Sequence, residues 1–210
     1  MARYLDSSCK LCRREGMKLM LKGERCETAK CAIERHEKNM APGMHGWRRG
    51  RGSNYGVRLR EKQKVKRFYG LMEKQFVLTF KRAEKIPGNT GEVLLGLLER
   101  RLDNVVYKLN FAASRKEARQ VITHGHICVN GKKVDIPSFM ISLGDKITVK
   151  KSDKSKKKIK DQIASNPNFS VQGWLQLNPE TLEATIVNLP SREDVQIPIE
   201  ENLVVEFCSR

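Results

Sequence analysis

The fold of this 210-residue chain is decided by residues 114–131, which read SRKEARQVITHGHICVNG. Ser114 and Glu117 have the spacing of a capping box, which predicts that a short helix begins here. Residues 127–129 then alternate apolar and polar positions as a strand does, and Asn130-Gly131 is the strongest short signal for a β-hairpin. The segment therefore predicts a helix that runs directly into a hairpin.

Patterns on both sides extend this unit. An apolar stripe over residues 93–106 predicts a core helix before it, and residues 147–149 predict a closing strand after it. Further upstream, residues 54–85 carry apolar side chains at three- and four-residue steps, and Gly70 divides them into two helices. The predicted fold class is therefore α+β, mainly helical, with two helices plus a small antiparallel sheet in the unit around the hairpin.

Four cysteines near the N-terminus have metal-ligand spacing: Cys9, Cys12, Cys26 and Cys31. A C-x-x-C turn directs two sulfurs at one ion, and four thiolates complete a tetrahedral, structural Zn²⁺ site with no open position for catalysis. The alternatives are a set of reduced thiols or a redox switch. Cys128, in the predicted strand, and Cys208, in an apolar C-terminal patch, are interpreted as small core residues.

Charge indicates the class of partner. The formal net charge is +17, and it is uneven, with about −5 in residues 163–210 and +22 in the rest. A phosphate backbone and an anionic membrane surface would both suit this charge, but no apolar run reaches the length of a membrane-spanning helix. RNA is therefore the favoured partner, with no membrane and no small-molecule substrate. The chain shows no nucleotide-binding, zinc-protease or serine-hydrolase motif, so we expect no enzyme.

The predicted domains follow from these patterns. Residues 1–45 form the zinc-binding and basic N-terminal extension, and residues 46–97 together with 171–210 form a helical domain. Residues 98–160 form the inserted hairpin unit, and residues 150–170 form a lysine-rich connector. The connector is interpreted as a solvated linker because like charges extend such a segment.

Basic and polar side chains form three candidate RNA contacts. The first lies on the predicted helix, where Arg115 and Arg119 share one face at i, i+4, and the second is the hairpin after it. The third is the glycine-rich loop after Trp47 and the helix that follows it. The candidate RNA-binding residues are Arg48, Arg49, Arg51, Arg58, Lys62, Arg115, Lys116, Arg119, Gln120, His124, His126, Lys132 and Lys133. An ordinary solvated face is the alternative for each.

The whole chain resembles the family of bacterial-type ribosomal protein S4 of the small subunit, in its zinc-binding form. The resemblance rests on long, ordered motifs: Met1 to Leu5, Cys9 to Gly16, Ala41 to Gly46, Leu59 to Lys64, Arg101 to Tyr107, Ser114 to Gly131 and Val205 to Arg210. It implies that residues 98–160 are an S4-type RNA-binding domain inserted within the helical domain. It also implies that Arg48, Arg49 and Arg51 lie at the mRNA entrance.

The resemblance further implies a function. Members of this family are structural constituents of the small ribosomal subunit that bind the 5′ domain of 16S rRNA and nucleate assembly. They line the mRNA entrance channel and, with ribosomal protein S5, contribute to translational accuracy. The expected location is cytoplasmic on the ribosome, with an organellar ribosome as the alternative. Two other functions stay open: an RNA-modifying enzyme anchored by its S4 domain, and a regulator that binds its own mRNA.

Overall fold

A computed structural model of the protein describes residues 4–35, 40–46, 52–166 and 169–209. The chain divides into two compact units, one of Met1–Leu94 with Gln196–Arg210 and the other of Leu95–Val195. The first unit therefore takes residues from both ends of the chain. The second unit is longer than predicted, because residues 171–195 belong to it and not to the helical domain.

The secondary structure of the described residues is α+β. The helices are α1 (Ser8–Glu15), a short 3₁₀ helix (Gly23–Cys26), α2 (Asn54–Phe68), α3 (Glu73–Ala83), α4 (Thr90–Glu99), α5 (Leu102–Lys108), α6 (Arg115–Thr123), α7 (Asp153–Ser165) and α8 (Glu201–Cys208). The strands are β1 (Ile127–Val129), β2 (Lys132–Lys133), β3 (Lys146–Val149), β4 (Leu175–Asn178) and β5 (Glu183–Ile186). The predicted break between two helices is confirmed, because α2 ends before Gly70, whose φ of 64° is left-handed.

The predicted helix and hairpin are confirmed at residues 114–131. Ser114 is the N-cap of α6, and its hydroxyl accepts from the backbone N–H of Glu117 at 3.3 Å. Asn130 and Gly131 both have positive φ, 50° and 77°, as a two-residue hairpin turn requires. This tight turn pairs Val129 with Lys132, so β2 starts two residues earlier than the return strand expected at residues 134–136.

The sheet is antiparallel throughout and belongs entirely to the second unit. Its strand order is β2-β1-β3-β5-β4. Pairing of β3 with β5 through Ile147 and Ala184, both buried, explains why the strands after residue 170 join this unit. Their inward side chains extend the same apolar core that α5 and α6 cover.

The lysine-rich connector is a helix, which corrects the prediction of an extended linker. In α7, Ile159 is only 1% exposed and lies in the core of the second unit, where Ile163 packs partly against it. Two isoleucines at i, i+4 give this charged segment an apolar stripe, and burial of that stripe stabilises the helix against repulsion among its lysines.

Two smaller expectations concern the remaining cysteines and membranes. Cys128 and Cys208 are half-buried, so neither is a full core residue as predicted. Cys128 lies in a strand, as predicted, and Cys208 is the last residue of α8. In the described part of the chain, no helix combines the length and the apolar character that crossing a bilayer requires.

Candidate nucleic-acid interface

The four N-terminal cysteines lie around one small cavity. Cys9 and Cys12 come from α1, Cys26 from the end of the 3₁₀ helix, and Cys31 from the turn after it. The cavity has a volume of about 10 Å³, which leaves room for one small species. Cys12, Cys26 and Cys31 are buried and Cys9 is half-buried, and none is in a disulfide.

The donor chemistry of this cavity suits a soft divalent ion. The backbone N–H of Lys22 donates to Sγ of Cys26 at 3.3 Å, a bond that favours a thiolate. Burial raises the pKa of the Cys12 and Cys26 thiols, and the neighbouring cysteines raise it further. The sulfurs are nevertheless not drawn together tightly, since among the described residues no three Cys, His, Asp or Glu side chains already have metal-holding geometry.

A buried carboxylate ties the cysteine module to the next helix. The side chain of Glu15, at the end of α1, is 1% exposed and forms ion pairs with Arg67 and Arg60 of α2, the latter at 3.4 Å. Burial raises the pKa of Glu15, while the two guanidiniums oppose that shift. Two arginines that precede Glu15 in α1 donate to carbonyl oxygens of a later loop. One of them is Arg14, whose Nη2 lies 2.8 Å from the carbonyl oxygen of Pro42. The C-terminal end of α1 is thus held by contacts with α2 and with the loop at residues 40–42.

Two predicted RNA-binding residues of α2 have partners inside the first unit. Arg58 makes a two-point ion pair with Glu206 of α8, with Nε and Nη2 at 2.7 and 2.6 Å from the carboxylate oxygens. Lys62 is 8% exposed, pairs with Glu73, and lies 5.1 Å from the ring centroid of Phe207. The prediction that Lys62 belongs to an exposed basic face of α2 is therefore wrong. Both side chains join α2 to other helices.

The predicted exposed arginine face of α6 is also wrong. Arg115 is 7% exposed, and its Nε donates to Oδ1 of Asn104 at 2.8 Å. Its guanidinium carbon lies 4.6 Å from the ring centroid of Tyr107. Arg119 turns to Asp103, with Nε 2.8 Å from Oδ2. These arginines fasten α6 to α5, because the polar residues of α5 supply acceptors inside the unit.

The buried polar groups of α5 form two hydrogen-bonded clusters, one around Asp103 and one around Asn104. Asp103 also accepts two hydrogen bonds from Arg101, at 3.1 and 3.0 Å. Asn104 donates to the carboxylate of Glu99 at 2.6 Å, and the same carboxylate lies 2.7 Å from Nζ of Lys108. Burial lowers the pKa of Lys108, and Glu99 counters this. Pairing and hydrogen bonding together allow these charges to stay buried.

Because Arg115 and Arg119 face α5, a different stripe of α6 faces solvent. Lys116, Gln120 and His124 recur at four-residue steps and are all exposed. Lys132 and Lys133 are exposed on β2, the edge strand of the sheet. This set, which we call the α6–hairpin face, keeps five of the predicted RNA-binding residues on one unit. Trp47, Arg48, Arg49 and Arg51 lie outside the described residues.

Gly125 brings the hairpin close to the end of α6. Its φ is 72°, and a Cβ at this position would collide with Cε of Lys133. The left-handed φ favours glycine here, whereas the flexible end of the Lys133 side chain could move aside. The basic side chains of β2 are therefore positioned next to those of α6.

His126 connects the hairpin to α7. Its Nδ1 lies 2.8 Å from Oγ of Ser155, a residue that is 3% exposed. The pKa of His126 is lowered first by burial and then by the positive charges of Lys158, His124 and Lys150. The ring is thus neutral near pH 7 and joins the hairpin to α7. The sequence had instead suggested that His126 adds to the positive surface that contacts RNA.

We expect acidification from about pH 7.5 to about pH 5.5 to loosen α7, because the folded state disfavours protonated His126. Because the pKa of His126 is lower in the folded state than in the unfolded state, the neutral ring stabilises the fold at a pH above the unfolded-state pKa. This stability is lost as the pH falls through the folded-state pKa. His126→Asn should therefore show a shallower fall of unfolding free energy with pH than the wild type. His45→Asn, at an exposed position in the first unit, is the control, and equal slopes for wild type and His126→Asn would contradict this assignment.

Sequence reasoning missed the lysines of α7 as a positioned surface. The signal was present, because Ile159 and Ile163 stand four residues apart within the lysine run. It also missed Asp103 and Glu15 as buried anchors. Nothing local marks Glu15 for burial, because its arginine partners come from α2, and Asp103 likewise takes Arg119 from α6.

Comparison with known proteins covers the chain almost completely. Residues 3–99 match the family described as Ribosomal protein S4/S9 N-terminal domain, and residues 100–147 match the S4 domain. Similar proteins include the small ribosomal subunit protein uS4 of Halothermothrix orenii, 55% identical over 210 residues, and that of Clostridioides difficile, 54% identical. That of Thermodesulfovibrio yellowstonii is 52% identical, and all three alignments span the full length of both chains.

Proposed function

Because this chain belongs to the uS4 family of small ribosomal subunit proteins, we propose that it binds the 5′ domain of 16S rRNA as a structural, non-enzymatic constituent of the ribosome. The finer roles in this proposal are nucleation of subunit assembly, a lining of the mRNA entrance, and a contribution to translational accuracy with ribosomal protein S5. In a bacterium the site of action is the cytoplasmic ribosome.

The single observation that carries RNA binding is the α6–hairpin face. It gathers three kinds of hydrogen-bond donor on helix α6 and strand β2: lysine ammonium groups, a histidine ring and a glutamine amide. Phosphate oxygens accept from such groups, and the contacts orient a protein on RNA without reading sequence. The S4-domain match covers the same residues, which supports RNA over other polyanions.

We expect Lys132→Gln with Lys133→Gln to weaken binding to a 16S 5′-domain transcript and to reduce its salt dependence. Each neutralised phosphate contributes about 0.7–0.9 to the slope of log K against log[salt], so the pair should remove about 1.5 units. Filter binding over a salt series measures this. Lys81→Gln with Lys85→Gln, at exposed positions in the first unit, is the control. Wild-type affinity that does not change with salt would overturn RNA-phosphate binding altogether.

We propose in addition that Cys9, Cys12, Cys26 and Cys31 hold one structural Zn²⁺. The support is their shared cavity, the N–H donor on Cys26, and the preference of Zn²⁺ for four thiolates. The ion would draw the sulfurs inward and displace the thiol protons, and it would cross-link a segment whose own apolar core is small. Native mass spectrometry of protein purified without chelator tests this, and one zinc per chain is the expected result.

A further inference from the structure

Helix α7 presents lysines from a fixed position. Ile159 anchors it in the core of the second unit, and Ser155 is bonded to His126. With the helix held on this side, its exposed lysines cannot spread as they would in a flexible linker. They therefore form a surface with a defined shape.

One side of that surface borders an open groove of about 440 Å³ between α7 and the start of α6, here called the α6–α7 groove. The residues that line it are Glu117, Lys154, Lys157, Lys158, Asp161, Gln162 and Ser165. All seven are polar, so a protein partner would find no apolar anchor there of the kind that dominates protein interfaces.

The groove holds an unused hydrogen-bond donor. Nε2 of Gln162 is buried and has no hydrogen-bond partner among the described residues. Buried amide donors are nearly always paired with a protein group, a ligand or an ordered water, so an acceptor is expected beside this one. An anion with several oxygen acceptors would supply it.

Positive charge around the groove is only partly balanced. Three lysines, Lys154, Lys157 and Lys158, line the groove with two acids. Glu117 is the nearest acid to Lys158, at 3.8 Å, but its other oxygen accepts from the backbone N–H of Ala113 at 3.0 Å. Its carboxylate is thus committed to capping α6. Asp161 is the second acid in the groove.

We propose that the α6–α7 groove binds a phosphodiester strand of RNA, which extends the proposed function from the α6–hairpin face onto α7. Lys154, Lys157 and Lys158 neutralise successive phosphates, and the Gln162 amide donates to a phosphate or ribose oxygen. Such contacts depend on the backbone and its 2′-hydroxyls, and they carry no base preference. The proposal rests on RNA binding by the whole protein.

The test compares two triple variants of the full chain on the same 16S 5′-domain transcript. Lys154→Gln, Lys157→Gln and Lys158→Gln remove the groove charges, while Lys151→Gln, Lys156→Gln and Lys160→Gln remove equal charge from exposed positions outside it. We expect the groove triple to lower the salt slope by about 2 units, and the affinity on the order of 100-fold near 0.1 M salt. The control triple should lie close to wild type. Equal losses for both triples would overturn the groove and leave diffuse attraction only.

Two further readouts sharpen the result. Asp161→Asn removes a carboxylate from the groove and should tighten RNA binding, whereas unchanged or weaker binding counts against the site. Acetylation of lysines followed by mass spectrometry should show protection of the three groove lysines by the transcript. Protection only in assembled subunits, not with RNA alone, would assign the groove to a protein and overturn the proposal. Failure of wild type to bind RNA would instead overturn the proposed function.

Discussion

Replacing Cys9 and Cys12 together by serine is expected to unfold the first 40 or so residues and leave the rest of the chain folded. A structural zinc site contributes about 10 kcal/mol or more to a small module. The module has little else, since the buried side chains near the cysteines are few, mainly Leu19 and Leu21. Loss of two ligands therefore removes most of what holds the segment together.

Limited proteolysis read by mass spectrometry measures the effect. New cleavage should appear before residue 40 and not in residues 95–195, and the zinc in the native mass should disappear. Glu15 and its ion pairs with α2 will retain some of α1, so the cleavage should concentrate after the end of that helix. Cys128→Ser with Cys208→Ser, which changes two half-buried thiols outside the module, is the matched control. An unchanged protease pattern in the Cys9, Cys12 variant would mean that these thiols are not structural.

Asp103→Ala is expected to destabilise the second unit by about 3–5 kcal/mol, the usual cost of leaving buried charge without its partner. Asp103 is 2% exposed and binds both Arg101, itself 4% exposed, and Arg119. Removing the carboxylate leaves the guanidinium groups of Arg101 and Arg119 without their shared partner, where little water reaches them. Helix α6 should also shift, because the ion pair of Arg119 with Asp103 joins it to α5.

Urea unfolding followed by circular dichroism measures this loss, and Asp135→Ala, an exposed acid in the same unit, should change stability by less than about 0.5 kcal/mol. We also expect Asp103→Ala to weaken RNA binding through displacement of α6, with the salt slope kept because no phosphate-binding lysine is removed. A loss of stability below about 1 kcal/mol would show that water reaches these arginines, contrary to the burial described above.

The sequence by itself determined the elements whose signals are local. Ser114 and Glu117 predict the start of α6, and Asn130-Gly131 predicts a two-residue hairpin turn. Both signals are local, because caps and tight turns involve neighbours along the chain. The grouping of four cysteines and the excess of basic charge were equally visible. These features are sufficient to identify an S4-type unit and a polyanionic partner.

Only the tertiary structure decided which charged residues face solvent. Lys62, Arg115 and Arg119 look like members of exposed basic stripes, yet Glu73, Asn104 and Asp103 supply partners from other helices. Helix α7 and strands β4 and β5 were likewise decided by packing on the core of the second unit. The reason is physical: a capping signal acts over a few residues, whereas burial of a charge depends on acceptors that folding brings from elsewhere in the chain.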